Sequence, residues 1–361
     1  MRVGVFTSSR AISLQKVALD IAGVLSSMGV DAIIEYGGYN LKTLLKVDSG
    51  IVVMPVDLVH CLQYMYLCYR LRTIGKRALF YGTIEGYVRN PETYEWVRDY
   101  VDFVANSKYT AEKLKIAGYN VVDIVYHGIN TEIYRDAPIL GQKAREKLGI
   151  SEKTFLVGYI ASDHRRKGHD LASQVVKIVG KKDKSIKFII VSRDKAEKYY
   201  KGLDNVIFLN KFGELSESAI KTLYGMMDLY SQFSLIEGFG LPVLEALACG
   251  RPVIHGNYNP LSEITNKDTS FRVPIRGKKL YVENTGIIYE LHLYNPEEYA
   301  EILLQAKEEV LKNKRDYEDL ARLRAQDFEL FPTYMKMKYL LESQRPLTDE
   351  AAVRIYLSDE K

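Results

Sequence analysis

Two glutamates, Glu237 and Glu245, stand eight positions apart in the stretch EGFGLPVLEALACG, Glu237 to Gly250. Between them lie Gly238, Phe239, Gly240, Leu241 and then Pro242. Proline fits the first turn of a helix, where its missing N–H has no partner in any case, so a helix is expected from Pro242 to Ala248 with Gly250 as its stop. The backbone N–H groups near 238–242 then point out of the helix start, a site for phosphate or sugar oxygens. Glu237 falls in the turn and Glu245 about one turn inside the helix, so both can face one ligand at that end. The same residues also read as an amphipathic helix on a sheet with two surface glutamates, but such a helix has no need of glycines on both sides of Phe239.

The segment through Ile254 closely resembles the signature of the retaining nucleotide-sugar glycosyltransferases of the GT-B fold, the family 4-like, group 1 enzymes with the E-x7-E motif. Both acids, the GFG turn, the proline and the EAxxxGxPVI continuation agree. The resemblance implies transfer of a hexosyl unit from a UDP- or GDP-linked sugar to an acceptor hydroxyl, with retention. By the same resemblance Glu245 binds the ribose hydroxyls, and Glu237 contacts the donor sugar and supports the reacting centre. The N–H groups of Gly238, Phe239, Gly240 and Leu241 would bind sugar hydroxyls or phosphate. Lys211 and Phe212, after Asn210, match the loop along the nucleobase.

A second group is SDHRRKGHDL, where Arg165, Arg166 and Lys167 precede Gly168 and a helix. Fixed cations in a dry cleft stabilise the charge of a diphosphate leaving group. Lys167 and Gly168 match the family's Lys-Gly. The family's arginine five or six residues earlier is absent, Ala161 and Ser162 standing there, so Arg165 or Arg166 must replace it. A solvated basic loop is the plainer reading. No D-x-D motif, which unrelated transferases use to hold a divalent metal, occurs in the chain. We therefore expect no metal site and no cofactor besides the donor substrate.

Signals in the first half are weaker. His127 begins an HGIN turn that resembles the end of the family's first domain and reads either as a cleft residue or as a structural turn. Glu85, in YGTIEGY, occupies the place where the family often has a histidine near the reacting sugar; it could serve as a base toward the acceptor or be an ordinary loop glutamate. Ser9 and Arg10, in TSSRA, could contact phosphate or acceptor. The segment 60–77 mixes Leu, Met and Tyr with Arg70, Arg72, Lys76 and Arg77, which fits either a helix lying on an anionic membrane or a core helix with a basic end.

These residues need a frame. Short apolar strands are expected at 2–7, 32–36, 50–56, 78–84, 101–105 and 121–126, with helices near 14–28, 58–73, 92–99 and 109–117. The alternation restarts with strands at 155–161, 187–192, 205–209, 229–233 and 252–255, and helices near 168–180, 215–226 and 241–248. Apolar strands alternating with helices mean parallel sheets covered on both faces. Two such series mean an α/β fold of two doubly wound, Rossmann-like domains, and with the resemblance the GT-B arrangement, two domains facing a cleft. The domains are placed at 1–140 (acceptor side) and 141–325 (nucleotide sugar), with the boundary in the polar stretch 131–152. The helices of 326–361 are expected to return to the first domain.

At 361 residues and 47% hydrophobic content the chain can build two cores. A net charge of +4 does not point to nucleic acid. Three cysteines without ligand spacing suggest a reducing compartment, and the start, MRVGVFTSSR, reads as a strand and not a signal peptide. A cytoplasmic protein is expected, with peripheral contact at the inner membrane face as an extension, and a glycan, lipid-linked or protein acceptor as partner. Three alternatives remain open: a sugar-nucleotide epimerase or hydrolase on this fold, a two-carboxylate glycosidase, and a non-catalytic subunit binding a glycan or a partner transferase.

Overall fold

The computed structural model describes residues 1–56, 61–283 and 287–344. The start of the helix expected at 58 lies outside them. The chain forms two compact units: Met1–Gly128 with Val282–Ile288 and the segment from Leu330, and Ile129–Tyr281 with Tyr289–Glu329.

The first unit runs β1 (Arg2–Thr7), α1 (Ile12–Ser27), β2 (Asp31–Tyr36), α2 (Leu41–Lys46), β3 (Ser49–Pro55), α3 (Cys61–Thr73), β4 (Arg77–Thr83), a short β5 (Gly86–Val88), α4 (Glu95–Arg98), β6 (Asp102–Ala105), α5 (Lys108–Ile116) and β7 (Asn120–Ile124). Its parallel sheet has the order β2-β1-β3-β4-β6-β7. β3 and β4 are buried almost throughout, which is why they read as unbroken apolar runs.

The second unit runs α6 (Ala137–Lys147), β8 (Phe155–Ile160), α7 (His169–Lys182), β9 (Ile186–Ser192), α8 (Asp194–Glu197), β10 (Val206–Asn210), α9 (Glu217–Met226), β11 (Leu229–Gln232), α10 (Leu241–Ala248), β12 (Val253–Gly256), α11 (Leu261–Ile264) and β13 (Ser270–Val273). β14 (Gly277–Val282) and β15 (Ile287–Leu293) follow, their ends Val282 and Ile287–Ile288 belonging to the first unit, then α12 (Pro296–Lys312) and α13 (Lys314–Gln326). The six-stranded parallel sheet has the order β10-β9-β8-β11-β12-β13. The order reverses between β8 and β11. In a doubly wound sheet, ligands bind beyond the carboxyl ends of the strands at such a switch point. The loops after β8 and β11 hold Lys167 and Glu237.

The junction between units falls at Gly128 and Ile129, ahead of the stretch 131–152 where the polar composition places it. That stretch belongs to the second unit because its groups are engaged there. The Ile129 N–H donates to the Phe328 carbonyl (2.8 Å), and the Thr131 hydroxyl donates to Glu329 (2.7 Å). α6 packs on α9 where Gly141 and Gly225 let the backbones touch.

The last described helix, α14 (Leu330–Ser343), packs on α1 and β4 of the first unit. Gln344 beyond it pairs with Ala78 as a strand would, accepting from its N–H and donating to its carbonyl, both at 2.8 Å.

α3 is a core helix. Cys61, Tyr64, Met65, Leu67, Cys68, Tyr69 and Leu71 are buried. Arg72 pairs with Asp102 (3.3 Å) and Lys76 donates to the Leu44 carbonyl (2.6 Å). Its apolar face is used inside the unit. No described helix is long and apolar enough to cross a membrane.

Candidate active site

After β8 the chain passes Ser162 and makes a tight turn at Arg165–Lys167. Gly168 closes it with φ 65°, and a Cβ there would lie 2.7 Å from the Phe233 carbonyl. Any other residue would be strained by its backbone angle and would push the two loops apart. They are joined by the Leu235 N–H donating to the Arg166 carbonyl (2.8 Å). The Tyr159 hydroxyl donates to the Lys167 carbonyl (2.5 Å). His169 holds the far side: its Nε2–H donates to the Ser162 carbonyl and its Nδ1 accepts from the Tyr200 hydroxyl, both at 2.8 Å. Burial lowers its pKa, in keeping with that neutral form.

The run-up to Glu237 is pinned carbonyl by carbonyl. Tyr294 donates to Phe233 (3.3 Å), Tyr258 to Ser234 (2.7 Å), the His292 N–H to Leu235 (2.8 Å) and Arg166 to Ile236 (3.5 Å). Buried carbonyls need partners. Here the partners come from β15, its flank and the loops after β8 and β12. The turn that carries Glu237 is therefore set before any ligand arrives. Tyr258 and His292 stack on each other, centroids 4.6 Å apart.

Glu237 is buried. Its Oε1 accepts from Lys167 Nζ (2.5 Å) and Gln232 Nε2 (2.7 Å), and its Oε2 accepts from Arg166 (3.3 Å). Burial by itself raises this carboxyl. The charges of Lys167 and Arg166 and the hydrogen bonds from Lys167 and Ser234 outweigh burial and hold it below the usual carboxylate range. The result is a fixed, ionised carboxylate flanked by two cations. Of the adjacent arginines, Arg166 is the one turned to Glu237, whereas Arg165 lies over the Tyr281 ring of β14 at 4.7 Å. Arg166 is thus the arginine that stands with Lys167 at Glu237.

α10 begins at Leu241 with Pro242 in its first turn. Gly240 precedes it with φ 115°, and a Cβ there would lie 2.7 Å from Leu261. Glu245, partly exposed in the second turn, accepts from the buried Tyr224 hydroxyl (3.1 Å). Gly250, φ 74°, ends the helix in the left-handed conformation.

The remaining candidates are spread over both units. Lys211 follows β10, exposed and paired with Glu214 (2.9 Å). Phe212 lies under Arg193 (5.6 Å) from the loop after the neighbouring β9. In the first unit, Ser9 and Arg10 are exposed beyond the end of β1, and Glu85 is partly exposed on the bend after β4.

His127 is different. It is buried, its Nδ1–H donates to Tyr81, whose own proton goes to the Val125 carbonyl, and its Nε2 accepts from Asn106 (3.2 Å). It is a structural residue of the first unit. Sequence reading misses Gln232, Tyr258 and His292, whose roles depend on contacts that no motif encodes. Among the described residues no three His, Cys, Asp or Glu side chains gather as a metal site.

Residues 141–321 match the family described as Glycosyl transferases group 1. A protein of Sulfolobus islandicus rod-shaped virus 1, "Uncharacterized glycosyltransferase 335", is 30% identical over 316 residues, covering 85% of this chain and 91% of its own. The chain belongs to the group 1 glycosyltransferases. Among solved structures, Anabaena HepE in complex with UDP and glucose superposes with TM-score 0.70 at 16% identity, over 95% of this chain and 100% of that one. Sucrose-phosphate synthase from Thermosynechococcus elongatus superposes with TM-score 0.68 at 14% identity, over 95% and 98%. At such identities the likeness establishes the fold, which is GT-B.

Buried histidines give this glycosyltransferase an acid-sensitive stability, and His169, which burial also lowers, acts in the same direction as His127 and His255. Burial lowers His127, in the first unit, to about 3; it lowers His255, in the second, to about 4, against a bond to the Gly256 carbonyl that raises it. Unfolded, each takes up a proton near about 6.5. Both therefore favour the folded state fully above about pH 6.5, and this stabilisation is lost as pH falls toward their folded values. Denaturant midpoints should drop between pH 7.5 and pH 5, and His127→Gln should flatten the drop. A midpoint constant over that range contradicts the assignment.

Proposed function

We propose that the protein transfers a hexosyl unit from a nucleotide-diphosphate sugar, UDP- or GDP-linked, to an acceptor hydroxyl, with retention and without a metal. The observation that carries the reading is the buried Glu237 carboxylate between Lys167 and Arg166, ahead of α10 and at the sheet's switch point. Lys167 and Arg166 stabilise the diphosphate as it departs. Glu237 contacts the donor sugar and supports its developing positive charge. The N–H groups of Gly238 to Leu241 bind sugar hydroxyls or phosphate, Glu245 binds the ribose, and Lys211 and Phe212 flank the base. HepE, with its UDP and glucose, supports this class of donor. Glu85, Ser9 and Arg10, beyond the carboxyl ends of first-unit strands, are the residues we assign to the acceptor, taken to be a glycan, lipid-linked or protein hydroxyl.

Incubation with a panel of UDP-, GDP- and ADP-sugars, scored for release of the free nucleotide diphosphate, tests the reading. Release from one donor class, raised by an acceptor, is the expected result. Binding without release from any donor favours the non-catalytic subunit. Free sugar without an acceptor product favours a hydrolase.

The Glu245 assignment has its own test. Charge-assisted hydrogen bonds to the ribose are worth about 1.5–3 kcal/mol each. Glu245→Ala should weaken both sugar nucleotide and free nucleotide about tenfold or more by calorimetry, and an unchanged nucleotide affinity removes Glu245 from the ribose.

A further inference from the structure

We infer that Gln232, the last residue of β11, is a positioning residue that aims the Glu237 carboxylate; this rests on the reading of Glu237 as the group that acts on the donor sugar. Gln232 is 1% exposed and every polar atom of its side chain is engaged. Its Nε2 donates to Glu237 Oε1 (2.7 Å) and to Ser234 Oγ (3.1 Å), and its Oε1 accepts from the Tyr230 hydroxyl (2.8 Å). The amide has only this orientation available. Turned over, its carbonyl oxygen would face a carboxylate oxygen at the same short distance.

The consequence falls on the two oxygens of Glu237. Oε1 receives Lys167 and Gln232, both at close range, whereas Oε2 has Arg166 at 3.3 Å. Oε1 is the more closely held oxygen, and Ser234 is a further donor to the carboxylate. A neutral amide suits this task. It donates to the carboxylate without neutralising it, and being fixed by Tyr230 it loses little freedom in doing so. A leucine would fill the space and release the carboxylate. A glutamate would set a second acid against the first, and two carboxyls that close share a proton. The charged and titratable groups around Glu237 are Lys167 and Arg166 from the loop after β8, Tyr159 from β8 and Tyr230 from β11. Burial pushes both tyrosines well above their ordinary range.

The test is the pH profile of kcat from pH 5 to 9 for the full chain and for Gln232→Leu, Gln232→Glu and Tyr230→Phe, with calorimetry of UDP and GDP on each. Gln232→Leu should lower kcat about tenfold or more, in line with loss of a hydrogen bond to a charged group, and leave nucleotide affinity within about twofold. Gln232→Glu should move the acid limb of the profile to higher pH. Tyr230→Phe removes one hydroxyl only and should give a smaller fall of the same kind, which keeps the test open if Gln232→Leu folds poorly. Wild-type kcat with an unmoved acid limb in these variants overturns the inference. So does a loss of nucleotide affinity in proportion to kcat, which marks a packing role. If Glu237→Gln itself keeps full turnover, the functional reading fails, a result distinct from either.

Discussion

Glu237→Gln should lower kcat by about 10²-fold or more and leave nucleotide affinity within a few-fold. The substitution keeps size and one acceptor oxygen but removes the charge that, on the proposed reading, supports the sugar's transition state, so the loss belongs in kcat. The magnitude follows the roughly 10²–10³-fold cost of deleting one preorganised electrostatic partner. Stability will fall as well, because the buried Lys167 loses its counter-charge, and breaking a buried pair costs about 3–5 kcal/mol. Calorimetry with the free nucleotide separates the two effects, since a protein that still binds nucleotide is folded. A variant that turns over like wild type would reduce the motif here to a structural turn. A purely binding subunit shows no turnover in either form.

Much of this site is legible in the amino-acid sequence. The stretch Glu237–Gly250 encodes its own geometry locally: Gly240 needs a left-handed backbone, Pro242 suits a first helical turn and Gly250 stops the helix. Parallel strands buried on both faces, such as β3 and β8, announce themselves as apolar runs. Elements outside that alternation do not. β13 is short and β14 reads GKKLYV and is largely exposed, so neither shows an apolar period. β15, IIYELHL, has the composition of a strand but lies outside the strand–helix series that the fold reading follows. His127 marks the limit of a motif. Its HGIN context reads equally as a cleft residue or a structural turn, and its burial among Tyr81, Asn106 and Val125 is decided by strands far apart in the chain. Gln232 and His292 escape sequence reading for the same reason. Each matters through one partner that no motif names, Glu237 or Leu235.

The unit boundary teaches a related point. Polar composition over 131–152 suggests a boundary there, but polarity marks exposure and not independence. α6 is polar on its outer face and still packs on α9 through two glycines. Where a chain leaves one core for another is decided by what its buried atoms touch, here Ile129 against Phe328.

Lys167→Ala should cost about 10²-fold or more in kcat/KM, and activity of the wild type should survive EDTA. Lys167 acts twice in this geometry. It is the buried cation nearest Glu237, and on the proposed reading it is, with Arg166, the charge offered to the departing diphosphate. Its removal leaves Glu237 in a buried site with Arg166 at 3.3 Å as its cation. Two of the influences that lower this carboxyl, the Lys167 charge and the Lys167 hydrogen bond, disappear, while the burial that raises it remains. The acid limb of the rate profile should therefore move to higher pH in Lys167→Ala, in addition to the fall in rate. A lysine that only neutralised the diphosphate would lower the rate without moving that limb. The EDTA arm addresses the metal separately. Complete loss of wild-type activity in EDTA, restored by Mg²⁺ or Mn²⁺, would assign the leaving-group charge to a metal ion and return Lys167 to the role of holding Glu237.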